Sequence, residues 1–392
     1  MIMKITKIRI GLISTLVLFL LSFICSGHLA NALDKGTVKI GILAPTTGTW
    51  AYEGGVMLEG IKLAMEEINS KGGIKGTSKI DLVIEDSAGI PATAVAAMEK
   101  LVGIHKVPVV IGDFGSSCTL AAQEVAKRAK VPQITPISLA PKITQLGNIW
   151  IFRACDNSIM ISNAFTKYAV VDKKLNKWSF IAVNNDYGRG SVDAFSKTVK
   201  ELGGEIVSAD YFQLGETDYY SILTKLKATN TNGLCLLGET MDLSRVVNQF
   251  YELGLDKKIV LMDPTSGTFN DKFIELTKAK TEGMIGATRF IASLETPKAK
   301  SFVSAYKKQW GHEPEKYAQS SYDAVHIVAQ AIARADSIDP ATIREALTKT
   351  QYEGPQGKAY FDETNQLIID EYIVIFKKGK FVVEAGPIKT SK

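Results

Sequence analysis

Short runs rich in valine and isoleucine alternate along this 392-residue chain with amphipathic helical stretches, and the alternation starts afresh after Trp150-Ile151-Phe152-Arg153-Ala154. That rhythm marks βαβ units, whose parallel strands need helices on both faces to bury them. Strands are expected at 38–43, 80–85, 108–111, 132–134, 178–183, 205–212, 234–237 and 259–262. After the first of these, Ile61, Ala64, Met65 and Ile68 fall at i, i+3, i+4 and i+7, opposite Lys62, Glu66 and Glu67, and Gly72-Gly73 ends the helix. From 296 to 350 the pattern turns mainly helical, with Tyr322, Val325, Ala329 and Ile332 on one stripe. The expected fold class is α/β, built as two doubly wound, Rossmann-like lobes. No Pro/Gly/Ser-rich linker separates the halves, so the hinge should be short and stiff.

Lys4, Lys7 and Arg9 precede an uncharged apolar run from Ile10 to Ile24, and Ala30-Asn31-Ala32 matches small-x-small cleavage. Residues 1–32 are therefore expected to be a secretory signal, cleaved on export to the periplasm. The apolar run is shorter than the roughly 20 residues a membrane span needs. Lipid attachment at Cys25 is disfavoured by the bulky Phe23-Ile24 before it. Losing the three basic residues of the leader lowers the formal net charge from +5 to +2, which is no nucleic-acid footprint. The remaining length exceeds one compact core and favours two lobes. Cys118, Cys155 and Cys235 are too dispersed for a CxxC site. They allow one disulfide at most, Cys118 with Cys155, the alternative being three buried thiols.

Between Val107 and Pro141 one unit runs twice, a short strand followed by a turn of small hydroxyl residues. Val107–Ile111 leads into Gly112-Asp113-Phe114-Gly115-Ser116-Ser117-Cys118-Thr119, and after a helix expected over 120–130, Val131–Ile134 leads into Thr135-Pro136-Ile137-Ser138-Leu139-Ala140-Pro141. Adjacent parallel strands put both turns at one carboxyl edge, where open α/β sheets hold their ligands. Helix N-termini and the hydroxyls of Ser116, Ser117 and Ser138 favour an anionic group there. The loop after the first strand lacks G-x-G-x-x-G and G-K-[ST], which argues against a nucleotide. Its Trp50 and Tyr52 either wall a pocket or pack the edge of the lobe. Tyr187, in Asn184-Asn185-Asp186-Tyr187-Gly188, follows a strand of the second half and can close over a ligand with its ring and hydroxyl. Glu239 and Asp263 end two further strands, where each can pair with a ligand ammonium or cap the next helix. Past the leader, His105, His312 and His326 stand at no metal-ligand spacing, and no G-x-S-x-G elbow or neighbouring base activates Ser116 or Ser117. No metal, cofactor or catalytic residue is expected. An exported α/β enzyme is the disfavoured alternative.

Taken in order, Lys39-Ile40-Gly41-Ile42, Glu59-Gly60-Ile61-Lys62-Leu63-Ala64, Val110-Ile111-Gly112, Asn185-Asp186-Tyr187-Gly188, Gly215-Glu216-Thr217-Asp218-Tyr219-Tyr220 and Ser321-Tyr322-Asp323-Ala324 resemble type I periplasmic solute-binding proteins of the branched-chain amino acid transport family. The resemblance spans nearly all of the mature chain. It implies two lobes joined by three crossover segments, residues 33–155 with 288–352 and residues 156–287 with 353–392. It also implies closure around a small-molecule ligand, and a monomer that docks on the membrane permease of an ABC importer. Carried over by position, ligand contacts fall on Ser116, Ser117, Ile137, Ser138 and Leu139, with Tyr187 closing from the second lobe. The chain departs from the pattern at Leu139, where the family commonly has threonine. It departs again near Thr265 and Ser266, where an ammonium-binding glutamate is expected. Either Glu239 substitutes for that acid, which keeps an amino acid ligand, or the ligand is an amide, a urea-like compound or another carboxylate. A sensory receptor of the same architecture is the remaining alternative.

Overall fold

The computed structural model describes residues 36–278 and 280–390; the expected leader, with Cys25, lies outside the described residues. Five strands form a parallel sheet in the order β2-β1-β3-β4-β5. They are β1 (Thr37–Ala44), β2 (Lys79–Asp86), β3 (Val110–Gly112), β4 (Gln133–Thr135) and β5 (Ile151–Arg153). Helices α1 (Ala51–Ser70), α2 (Pro91–Glu99), α3 (Ser116–Ala129) and α4 (Lys142–Gln145) connect them. Ile40, Ile42, Ile111, Ile134 and Phe152 belong to one core. The α1 stripe read from the sequence buries Ile61 and Ala64 in it, with Met65 and Ile68 packed alongside.

Helix α5 (Ser158–Lys167) then leads into a second sheet of seven strands, ordered β15-β14-β10-β9-β8-β6-β7. Its parallel part comprises β6 (Lys177–Val183), β7 (Glu205–Phe212), β8 (Gly233–Leu237), β9 (Val260–Asp263) and β10 (Ile285–Thr288), linked by α6 (Asp186–Glu201), α7 (Tyr220–Leu226), α8 (Thr240–Glu252) and α9 (Asp271–Thr277). All five residues of β8 are buried, the near-continuous apolar run that a strand covered on both faces requires. The chain then forms α10 (Pro297–Trp310), α11 (Lys316–Ala335) and α12 (Pro340–Thr348), which cover the first sheet.

Three features depart from the sequence reading. Helix α3 starts at Ser116, not Leu120, because small hydroxyl residues suit a first helical turn, and the Thr119 N–H already bonds the Gly115 carbonyl at 2.8 Å. Residues 353–369, expected in the second lobe, instead complete a three-stranded sheet of β11 (Gln351–Gly354), β12 (Gly357–Phe361) and β13 (Leu367–Ile368). Its Tyr352, Ala359, Phe361, Leu367 and Ile369 bury in the first core, and the Tyr352 hydroxyl donates to Asp323 at 2.6 Å. Only β14 (Glu371–Lys377) and β15 (Lys380–Ile388) join the second sheet, both antiparallel. Cys118, Cys155 and Cys235 are free buried thiols, so no Cys118–Cys155 disulfide forms. Among the described residues no helix is long and apolar enough to cross a membrane.

Core membership locates the crossings between lobes. Ala154 belongs to the first core and Cys155 to the second, Ala287 to the second and Phe290 to the first, Ile369 to the first and Ile373 to the second. Each crossing carries a buried charged-type residue that meets the others, Asp156, Arg289 or Glu371. Arg289 Nη1 donates to Asp156 Oδ1 at 2.8 Å, and Nη2 to Ser320 Oγ at 2.9 Å. Burial opposes ionisation of Asp156, but the Arg289 charge holds its carboxyl below the usual range. Burial, reinforced by the Asp156 charge, pushes the Glu371 carboxyl well up. Truncating one member of a buried pair leaves the other charged and dry. Arg289→Ala should therefore cost about 3–5 kcal/mol in urea unfolding, and a loss within experimental error would show that the pair does not hold the crossings.

Candidate functional site

The carboxyl ends of β1, β3 and β4 meet those of β6, β8 and β9 across a narrow cleft. Its lining comprises Trp50, Phe114, Gly115, Ser116, Ile137, Ser138, Leu139, Tyr187, Glu239 and Tyr317. Of the ten residues singled out from the sequence, the fold brings seven to this cleft: Trp50, Ser116, Ile137, Ser138, Leu139, Tyr187 and Glu239.

The doubled turn of the first lobe is stitched into one platform. Thr135 Oγ1 donates to the Asp113 carbonyl at 2.9 Å, and Gln133 Nε2 to the Gly112 carbonyl at 2.9 Å. Arg153, fully buried, donates to the carbonyls of Ser138 at 3.1 Å and Ala140 at 2.8 Å. The Ser138 hydroxyl lies within 2.9 Å of the Phe114 carbonyl, 3.1 Å of the Asp113 carbonyl and 2.7 Å of Thr119 Oγ1. It is thus committed to the platform, although it lines the cleft. Ser116 differs: its Oγ accepts from the Ala140 N–H at 3.1 Å, which leaves its proton to donate. The first intrahelical bond of α3 starts at Thr119, so the N–H groups of Ser116, Ser117 and Cys118 precede the helical ladder. That end of the cleft suits an anion.

The walls are apolar and aromatic. Trp50 and Phe114 lie 5.5 Å apart between ring centroids, and Phe114 meets Tyr317 edge-on at 5.1 Å. A Cβ on Gly115 would come within 2.5 Å of Trp50 Cζ3, so glycine there lets the indole seat against the platform. On the second lobe Tyr187 bonds Thr265 Oγ1 through its hydroxyl at 2.7 Å. Glu239 occupies the N-cap position of α8, yet its side chain makes no cap bond. Instead it accepts a hydrogen bond from the Tyr317 hydroxyl across the two lobes. Burial pushes its carboxyl well above the usual range, the Glu53 charge adds to this, and Lys316 and the Tyr317 bond oppose it.

Three expected residues do not line the cleft. The Tyr52 hydroxyl donates to Glu315 Oε1. Ser117 Oγ donates to Asp186 Oδ2 at 2.7 Å and so fastens one lobe to the other. Asp263 holds its own turn, accepting from Thr265 and Thr268 through both backbone N–H and hydroxyl groups at 2.7–3.1 Å. Lys316, buried at the start of α11, donates to the Thr265 carbonyl and lies 4.7 Å from the Tyr317 ring. The lining residues not singled out were Phe114, Gly115 and Tyr317. The first two sit inside the turn already read as a ligand edge. Tyr317 carried no local signal, because its role depends on α11 returning from far along the chain. Among the described residues no cluster of His, Cys, Asp or Glu could hold a metal.

The chain matches the family model described as periplasmic binding protein over residues 37–380. A leucine-, isoleucine-, valine-, threonine- and alanine-binding protein of Pseudomonas aeruginosa is 29% identical over 342 residues, covering 87% of this chain and 90% of that one. The leucine-binding protein LivK of Thermotoga maritima superposes with a TM-score of 0.82 at 28% identity, covering 89% of this chain and 98% of that one. The branched-chain amino acid transporter substrate-binding protein LivJ of Streptococcus pneumoniae, in complex with isoleucine, does so with a TM-score of 0.80 at 30% identity, with the same coverages.

Burial raises Glu315 to about 7 and Glu53 and Asp323 to about 8. Each therefore binds its proton more tightly folded than unfolded, and folding stability falls as pH rises through these values. Buried His326, lowered to about 4, acts in the opposite direction but finishes titrating in the unfolded chain near its ordinary value. Between pH 6.5 and 8.5 the unfolding free energy should therefore decline, as urea titrations at several pH values would show; a rise over that window would refute the assignment.

Proposed function

The chain belongs to the periplasmic binding protein family, and we propose that it is the extracytoplasmic receptor of an ABC importer, closing its two lobes on an amino acid with an aliphatic side chain. The observation that carries this reading is the polarity of the cleft. Ser116 and the N-terminus of α3 stand at one side, Glu239 stands on the facing lobe, and Trp50, Phe114, Ile137 and Leu139 supply apolar walls between them. A zwitterion with a branched apolar side chain matches all three surfaces. The names of the relatives and the isoleucine in the Streptococcus pneumoniae complex support the same class. Binding by closure requires no turnover, and the members of the family are binding proteins rather than enzymes. We assign the mature protein to the periplasm, as a monomer that delivers its ligand to a membrane permease and has no nucleic-acid partner.

A carboxylate lacking an amine is the second reading. The ring wall of Trp50, Phe114 and Tyr317 favours it, as does the uncharged pair Thr265 and Ser266 where the resemblance calls for a glutamate. A thermal-shift panel of L-leucine, L-isoleucine, L-valine, L-alanine and benzoate separates the two. A ligand at 100 times its Kd adds about 2.7 kcal/mol to stability, so at least one aliphatic amino acid should raise the midpoint by several degrees. A response to benzoate alone would replace the first reading by the second. Ser116→Ala should weaken the amino acid roughly tenfold, the effect of losing one hydrogen bond to a charged group, measured by titration calorimetry.

A further inference from the structure

Glu53 is a buried carboxyl group with nothing to bind. It is 1% exposed, and no other residue gives either carboxyl oxygen a hydrogen bond. Its position on α1 relates it to the cleft. The Gly54 N–H bonds the Trp50 carbonyl at 2.9 Å, so helical geometry reaches back to Trp50. Residues three apart then share a face. Trp50 lines the cleft, and its indole Nε1 is likewise buried and unpartnered. Across the cleft stands Glu239, on which Glu53 acts more strongly than any other neighbouring charge.

The other ionisable groups of this region are already engaged. Glu315 takes the Tyr52 hydroxyl, Asp263 is held by Thr265 and Thr268, and Asp242 accepts from the Gly215 N–H at 3.1 Å and from Arg245 at 3.2 Å. Lys316 donates to the Thr265 carbonyl, and the Tyr317 hydroxyl to Glu239. Glu53, unlike these, takes no hydrogen bond from any other residue. A buried carboxylate with no partner is costly, so in the absence of ligand the group keeps a proton. Burial raises it to about 8, opposed only by a hydrogen bond from its own backbone N–H, with the Glu315 and Asp242 charges adding to the rise.

We propose that Glu53 of the first lobe and Glu239 of the second bracket the cationic group of the ligand, and that the incoming cation displaces a proton held by this pair. The proposal rests on the amino acid reading and specifies which groups take the ammonium. The exchange balances: the ligand ammonium enters with its three protons, one carboxyl ionises to pair with it, and that proton leaves to the buffer. Because the two acids belong to different lobes, the cation also draws the lobes together. A ligand without an amine leaves Glu53 unpaired and leaves the proton in place.

The test is titration calorimetry of the mature chain with L-leucine at pH 7, in phosphate and in Tris, which differ in ionisation enthalpy. The expected result is release of between about half and one proton per leucine bound. Affinity should also rise up to tenfold per unit from pH 6 to pH 8. Glu53→Gln, isosteric and unable to ionise, should abolish the proton release and weaken leucine at least tenfold, while 4-methylpentanoate, which is leucine without its amine, should bind neither protein. If leucine binds with no proton released, or binds Glu53→Gln equally well, the bracket is wrong and the amino acid reading stands. If 4-methylpentanoate or benzoate binds and no amino acid does, the amino acid reading itself has failed. Should Glu53→Gln not fold, the proton count of the unmodified chain decides alone.

Discussion

Three short stretches of chain join the two lobes covalently, and the buried ion pair Asp156–Arg289 ties two of them together at 2.8 Å. Both partners are at most 3% exposed, so neither can fall back on water if the pair opens. A pair of this kind adds little net stability compared with apolar packing, but it penalises any arrangement that separates its members. Glu371, contributed by the third crossing, is pushed toward its neutral form by burial, and the adjacent Asp156 charge adds to this. The crossings thereby stay packed against one another while the lobes on either side of the cleft meet.

The cleft follows from where parallel strands end. Both sheets turn their carboxyl edges toward it, and α3 and α8 begin there, so backbone N–H groups and short loops collect at one place. The platform of the first lobe is then made rigid by buried side chains that do not line the cleft. Arg153, Thr135 and Gln133 saturate the carbonyls of the two turns, and Asp113 draws in the Gly115 N–H at 2.9 Å. Rigidity of this kind orients Ser116 and the first turn of α3 before any ligand arrives, which lowers the ordering cost of binding. The second lobe brings the less settled half, a protonatable carboxyl and a tyrosine hydroxyl already bonded to a neighbour.

Much of this was legible in the chain itself. All eight strands read from Val/Ile runs are present, most within a residue or two at either end, because parallel buried strands leave a dense apolar signal. The strands that went unread are short, like β5 and β13, or lie in the antiparallel C-terminal part, where no helix spacing announces them. In the cleft, Trp50, Ser116, Ile137, Ser138, Leu139, Tyr187 and Glu239 were found because strand ends are the right place to look. Ser117, Asp263 and Tyr52 looked equivalent in sequence, but hydrogen bonding sends them to an interlobe fastening, a turn and a neighbouring glutamate. Tyr317 and Glu53 gave no warning: one lies in an ordinary helix start and the other resembles any acidic residue in a first helical turn.

By itself the sequence determined the two α/β lobes and the edge at which a ligand would be held, because strand and helix periods and small-residue turns are local properties of the chain. Tertiary structure decided which hydroxyls remain free, which carboxyls stay protonated, and where residues 353–369 pack. Those outcomes depend on burial and on partners supplied by distant segments. Ser138 and Ser116 are alike as residues, and so are Glu53 and Glu66, until the fold surrounds one of each pair with carbonyls or removes its water.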